Sequence, residues 1–328
     1  MAKAPGKAYR QGLTLLEIAD KFGNEEDARK WIESKRWPNG PHCPHCGSYN
    51  VQSDINHKTM THRCRDCEKK PMFTVKVGTI MEGSKLKYRV WAIGLYLYTT
   101  NLKGISSMKL HRELGITQKS AWHLLHRLRK AAEKNIPIFG GQVEVDETFI
   151  GGKRKNMPNS KRRELTGRGG AGKAVVAGMK NRDTNKITAR VVQKTDAMTL
   201  QGFVEDNTEE ETTVYTDDAK AYVGLDRPHQ TVCHSVGEYV KGMAHTNGME
   251  SFWALMKRGY SGTYHKMSPK HLSRYVNEFG ERHNNRPLDT IEQIEEIVKA
   301  MPGKRLTYKN LIADNGLDSG ARRKHAQI

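Results

Sequence analysis

Two sets of residues in this chain could do chemistry by type and spacing: a quartet of cysteines and a trio of dispersed acids. Cys43, Cys46, Cys64 and Cys67 form the pattern C-x2-C-x17-C-x2-C. Four thiolates suit tetrahedral Zn²⁺, and each C-x2-C lets two sulfurs meet one ion across a tight turn. A redox motif has no use for a second pair at matching spacing, so the predicted role is structural zinc in a ribbon. Zinc binding can supply on the order of 10 kcal/mol to a module too small for its own core. The fifth cysteine, Cys233, reads as a buried apolar side chain on a strand.

The acids are Asp146, Asp217 and Glu250. Asp146 closes the run Val143-Glu144-Val145, and Asp217 closes Thr213-Val214-Tyr215-Thr216. Both runs alternate and are rich in β-branched residues, so they predict strands. Glu250 stands near the start of a helical stretch in which Phe252, Leu255 and Met256 fall on one apolar stripe. Lys257 is seven residues further, two helical turns, and projects from nearly the same face as Glu250. Two aspartates at strand ends and a glutamate at a helix start suit Mg²⁺ or Mn²⁺. Such a cation is held by a few carboxylates and completes its shell with water and phosphate oxygens. A pair of them can activate an attacking oxygen and stabilise the leaving one. The local pattern also has a plain structural reading, with Asn247 as N-cap and Glu250 at N3 of a capping box.

Lys and Arg number 55 against 36 Asp and Glu, a formal charge of +19 over 328 residues. That excess favours a polyanionic partner, because cations that neutralise phosphates release counterions. A ribosomal or membrane-surface partner fits the charge alone as well. No apolar run of about 18 residues is present, and MAKAPGKAYR lacks an apolar signal core, so a soluble, intracellular chain is expected.

The elements that must position these residues can be read in order. Residues 13–35 predict two short helices broken near Gly23-Asn24, either a DNA-contacting element or a lid for the ribbon. Lys58, Arg63, Arg65, Lys69 and Lys70 surround the ribbon cysteines, and His42, His45 and His62 are expected to face DNA or solvent. A mostly apolar helix over 88–98 precedes helix 105–114, the turn Gly115-Ile116-Thr117 and helix 118–129, a helix-turn-helix pattern. The second helix of that motif enters the major groove by its N-terminal residues. Gln118, Lys119 and His123 are therefore candidate DNA contacts, with Trp122, Leu125 and Leu128 packed inward. Past Pro137 come strands at 142–150, 173–180 and 187–193, a helix at 198–206, and strands at 213–217 and 231–234. Between the first two lie eight cations (Lys153, Arg154, Lys155, Lys161, Arg162, Arg163, Arg168, Lys173), one acid and several glycines. This reads as a mobile basic arm beside the carboxylates, or as a solvated loop. Helices at 268–286 and 291–300 follow, and the tail, with Arg322, Arg323 and Lys324, carries no pattern. The expected division is 1–40 helical, 41–80 zinc ribbon, 81–136 helix-turn-helix, 137–290 catalytic core and 291–328 C-terminal helix and basic tail.

The segments VEVDETFIGGK, YTDDAKAY and HTNGMESFWALMKRGYSGTYH resemble the DDE-type transposases of bacterial insertion sequences. The similar group carries an N-terminal zinc ribbon and has Asn and Glu close together before a Lys, and the likeness spans roughly 13–290. It implies an α+β fold whose core is a ribonuclease H-like mixed sheet with flanking helices, after the ribbon and helix-turn-helix. It implies cleavage at element ends that frees a 3′-OH, followed by attack of that 3′-OH on target DNA. Asp146, Asp217 and Glu250 would hold two catalytic cations, Lys257 would contact the terminal phosphate, and Asn247 is the alternative third ligand. Asp218 would face away from Asp217 if the strand persists. Double-stranded DNA and further copies of the chain are the implied partners, in a bacterial cytoplasm near the nucleoid. A degenerate, non-catalytic DNA-binding protein and a nuclease that cuts without joining are the other readings.

Overall fold

The computed structural model describes residues 11–133, 138–166, 170–217, 219–232 and 246–319. Pro137, Arg168, Asp218, Cys233, His245 and Arg322–Lys324 lie outside these residues. The chain divides into two compact units, one built from residues up to 133 plus 285–313, the other from 138–284 plus 314–319.

In the first unit, α1 (Leu15–Lys21) opens on a capping box between Thr14 and Glu17, and α2 (Glu25–Arg36) is capped by Asn24. Three short strands, β1 (Val51–Ser53), β2 (His62–Cys64) and β3 (Met72–Phe73), form an antiparallel sheet in the order β1-β2-β3. Helix α3 (Tyr88–Thr100) is nearly all buried, and its N-terminal amides are closed by Glu25, which accepts from Tyr88 N at 2.7 Å and Arg89 N at 3.1 Å. Helices α4 (Ser107–Leu114) and α5 (Gln118–Ala131) are capped by Ser106 and Thr117. Between them Gly115 adopts φ +61°, the left-handed turn that favours glycine.

The second unit is a five-stranded mixed sheet. Its strands are β4 (Gln142–Ile150), β5 (Ala174–Asn181), β6 (Ile187–Val192), β7 (Thr213–Asp217) and β8 (His229–Val232), in spatial order β6-β5-β4-β7-β8. β4, β5 and β6 pair antiparallel, whereas β7 pairs parallel to β4 and β8 parallel to β7. Short α6 (Asn159–Glu164) lies in the β4–β5 connection, and α7 (Ala197–Glu205) links β6 to β7. The two-residue period of β4 separates its faces. Val143 and Val145 pack with Phe203, Val204 and Tyr222. On the other face lie α8 (Asn247–Gly259), which runs on as a π-helical turn to Tyr264, and α9 (Pro269–Asn284). Their Met249, Phe252, Trp253, Leu272 and Phe279 pack with Val176 and Ile187.

The chain then returns to the first unit through α10 (Thr290–Lys299) and α11 (Tyr308–Ile312). Ile294, Ile297, Leu306 and Leu311 share one buried cluster with Ile18, Ile32, Cys43, Cys64, Phe73, Trp91 and Leu124. The N-terminal helices, the ribbon, the α4–α5 pair and residues 285–313 thus share one buried cluster within one compact unit. Sequence periodicity identified α10 as amphipathic, but the surface it covers lies some 200 residues earlier in the chain.

Candidate carboxylate site and cysteine cluster

Asp146 sits in β4 and Asp217 at the end of the neighbouring parallel strand β7, in a register that pairs Glu144 with Tyr215. Strand alternation places Glu144, Asp146, Tyr215 and Asp217 on the face covered by α8. Both Asp146 oxygens are engaged, Oδ1 by Glu147 N at 2.8 Å and Oδ2 by Trp253 Nε1 at 3.0 Å. Burial, and then the charges of Glu147 and Asp217, push the Asp146 carboxyl up to about 7. Glu147 is raised as well, chiefly by burial, while Tyr222 Oη donates to it at 2.9 Å. Asp217 Oδ1 accepts from Ala219 N at 3.2 Å. Anions crowded in this way are relieved by a cation, and an all-oxygen donor set fits Mg²⁺ or Mn²⁺.

Asn247, Glu250 and Lys257 are all exposed on α8. Among the described residues, Asp146, Asp217 and Glu250 do not bring three oxygens within 4.8 Å of one another. The capping-box reading is corrected by the helix itself. Thr246 is the N-cap and makes no side-chain cap bond, which places Asn247 at N1 and Glu250 at N4. The first-turn amides are instead met by Glu144, whose Oε2 accepts from Gly248 N at 2.8 Å and Met249 N at 3.2 Å. Glu144, Glu147 and Trp253 were not singled out by sequence. Glu147, as an acid adjoining Asp146, could have been found, but both lie midway along β4 rather than at its end. Phe252 and Met256 are buried as predicted and Leu255 half-buried, with Trp253 completing the stripe.

The ribbon cysteines converge. Cys43, Cys46 and Cys67 place their sulfurs within 4.8 Å of one another, and Cys64 Sγ lies 3.6 Å from Cys46 Sγ. Tetrahedral zinc with bonds of about 2.3 Å separates its sulfurs by about 3.8 Å, so the Cys43, Cys46 and Cys67 sulfurs can share one ion, with Cys64 beside Cys46 as the fourth donor. Gly47, at φ +79°, closes the first knuckle, its N–H donating to Cys43 O at 2.9 Å. Lys58, Arg63, Arg65, Lys69 and Lys70 are exposed, but His62, expected to face DNA or solvent, is not. It stacks on Phe73, meets Trp37 edge-on and is 2 % exposed. Burial and the nearby Arg29 charge push it down to about 4, making it a neutral core residue.

On α5, Gln118 Nε2 donates to Ser107 Oγ at 3.0 Å, Lys119 Nζ lies 4.3 Å from the Tyr308 ring centroid, and His123 Nε2 is 3.0 Å from Leu306 O. The C-terminal segment thus lies against two of the three residues assigned to DNA. In the second unit, Lys153, Arg154, Lys155, Arg162 and Arg163 are exposed, and Lys161 also belongs to α6. The described part of this arm is structured, with a 3-10 turn over Arg154–Asn156 ahead of α6 and Arg154 donating to Leu165 O.

Residues 138–284 match the ISXO2-like transposase domain, and residues 23–70 match the transposase zinc-ribbon domain. An uncharacterized protein in transposable element ISH50 of Halobacterium salinarum is 28% identical over 270 residues, covering 79% of this chain and 90% of that protein. No helix among the described residues is long and apolar enough to cross a membrane.

Proposed function

For a chain that belongs to the ISXO2-like transposases with a zinc ribbon, we propose metal-dependent cleavage at the ends of an insertion sequence and transfer of the freed 3′-OH into target DNA. The observation that carries this reading is the clustering of Asp146 and Glu147, midway along β4, with Asp217 at the end of the neighbouring parallel strand β7, Asp146 being raised to about 7. Three antiparallel strands followed by two parallel ones, with helices on both faces, support a ribonuclease H-like core. In this reading Asp146 and Asp217 bind the cations together with Glu250 or Asn247 from α8. Mg²⁺ or Mn²⁺, when bound, polarises the scissile phosphate and lowers the pKa of the attacking hydroxyl. The chain's own residues supply the rest. Trp253 orients Asp146, and Lys257 binds the terminal phosphate. The basic arm 153–163 and the ribbon face with Arg63 and Arg65 hold the DNA backbone. The α4–α5 pair reads sequence, and two copies of the chain pair the two ends.

The test is incubation of the zinc-loaded full chain with Mg²⁺ and duplexes carrying candidate terminal repeats, followed by mapping of products. Nicks at an end together with joined molecules support transposition. Nicks alone would indicate a nuclease, and binding without either product a DNA-binding protein only.

A further inference from the structure

Glu144 is 2 % exposed on β4, two residues before Asp146 and on the same face. One of its oxygens accepts from Gly248 N and Met249 N at the start of α8, and the other accepts from Arg182 Nε at 3.0 Å. Arg182 in turn lies over the Tyr215 ring, 3.9 Å from its centroid. The Gly248 amide belongs to the first helical turn and has no intrahelical acceptor, and the helix dipole favours an anion there. The approach is close: a Cβ at 248 would lie 2.6 Å from both Glu144 Oε2 and Lys180 Nζ, so the carboxylate and the ammonium would have to move aside. Farther along α8, Trp253 returns a hydrogen bond to Asp146 over Gly178, where a Cβ would sit 2.7 Å from the indole. The strand thus gives a carboxylate to the helix, and the helix gives an indole to the strand.

We propose that Glu144 is a positioning residue which, with Trp253, latches α8 to β4 and so fixes where Glu250 and Asn247 stand relative to Asp146. A local cap would satisfy the same amides but leave the helix free to shift along its axis. Thr246 supplies no such side-chain bond, so the axial position of α8 is set from the strand. A slip of one residue would move an α8 side chain about 1.5 Å along the axis, and misplacement on the order of 1 Å can cost about 100-fold in rate. The consequence for catalysis rests on the proposed function; the latch itself does not.

The experiment compares Glu144→Ala, Glu144→Gln and Gly248→Ala with the parent full chain, zinc-loaded. It reads amide hydrogen exchange along α8, end cleavage at saturating duplex with Mg²⁺, and DNA affinity. Glu144→Ala should speed exchange at Gly248 about tenfold or more, while Met249, whose N–H also donates to Thr246 O at 2.9 Å, changes less and the amides of Phe252 and Met256 exchange as in the parent. Its cleavage rate should fall about 100-fold with DNA affinity unchanged. Glu144→Gln keeps an acceptor oxygen and should restore protection and most of the rate, a rescue that a role in folding alone does not require. Gly248→Ala should reproduce the Ala phenotype without touching an acid, and it carries the comparison with Gln if Glu144→Ala does not fold. Parental exchange at position 248 in both Glu144→Ala and Gly248→Ala would overturn the latch, and parental cleavage despite faster exchange would overturn its positioning role. A parent that cleaves no duplex would sink the proposed function, and the exchange comparison would still decide the latch.

Discussion

Replacing Asp146 by Asn is expected to stabilise the second unit when no divalent cation is present, and far more at pH 8 than at pH 5. Burial and the neighbouring Glu147 charge raise the folded carboxyl from 3.8 to about 7. A carboxyl raised on folding makes its most favourable contribution at low pH. That contribution is lost as pH climbs from the unfolded value toward the folded one, and is flat above it. At about 1.4 kcal/mol per pH unit, the penalty relative to the unfolded chain is roughly 1.6 kcal/mol at pH 5 and roughly 4 kcal/mol at pH 8. Asn does not titrate, so its advantage over the parent should grow by about 2–3 kcal/mol across that interval. A constant offset opposes it. Asp146 accepts from Glu147 N and Trp253 Nε1, whereas Asn has a single acceptor oxygen, so one donor is stranded at about 1–2 kcal/mol. Mg²⁺ at pH 8 should stabilise the parent and leave the variant nearly unmoved, since a ligand favours only the state that binds it. Urea unfolding at both pH values, with the unfolded fraction of the second unit read by a protease pulse, measures all of these effects. An advantage of Asp146→Asn that is the same at pH 5 and pH 8, or equal stabilisation of both proteins by Mg²⁺, would show that the buried charge is not what strains this site.

Three further outcomes are expected. Elemental analysis should find one zinc per chain, and Cys64→Ser should lose it and loosen the first unit as a whole, because Cys43 and Cys64 belong to that unit's core; protease sensitivity confined to the ribbon would contradict this. Neutralising Lys153, Arg154, Lys155, Arg162 and Arg163 together should weaken DNA binding and reduce the log–log salt slope by roughly 0.9 for each phosphate no longer neutralised, and an unchanged slope would remove the arm from the interface. Glu250→Gln should abolish Mg²⁺-dependent cleavage with folding intact, whereas Asn247→Ala, at N1 with no cap to lose, should shift stability by no more than about 0.5 kcal/mol; full cleavage in the first and none in the second would transfer the ligand role to Asn247.

Much of this was legible in the linear chain because it depends on local spacing. The β4 and β7 runs alternate, and alternation alone set Asp146 and Asp217 on strands, Asp217 at the end of β7 and Asp146 midway along β4. The paired C-x2-C spacing fixed the ribbon, since two sulfurs three residues apart meet one ion wherever the rest of the chain goes. The 3.6-residue period found α5, α8, α9 and α10 to within a few residues.

What the local signal could not carry is the identity of a partner distant in sequence. Glu144 reads as an ordinary polar position on a half-buried strand, yet its partners Gly248 and Met249 are more than a hundred residues away. Thr246, not Asn247, is the cap, and the acceptor for the first-turn amides comes from β4 rather than from a local side chain. His62 resembles its neighbours His42 and His45 in sequence, but the Trp37 and Phe73 rings enclose it and its charge is lost to burial. Lys119 and His123 carry no sign in the linear chain of Tyr308 and Leu306, which the folded chain brings against them. Hydrophobic period and ligand spacing belong to a few adjacent residues, so the linear chain was enough to tell which residues carry chemistry and which elements hold them. Which acids share a field, and which amide each acid meets, came from the folded chain alone, because both depend on how distant segments close upon one another.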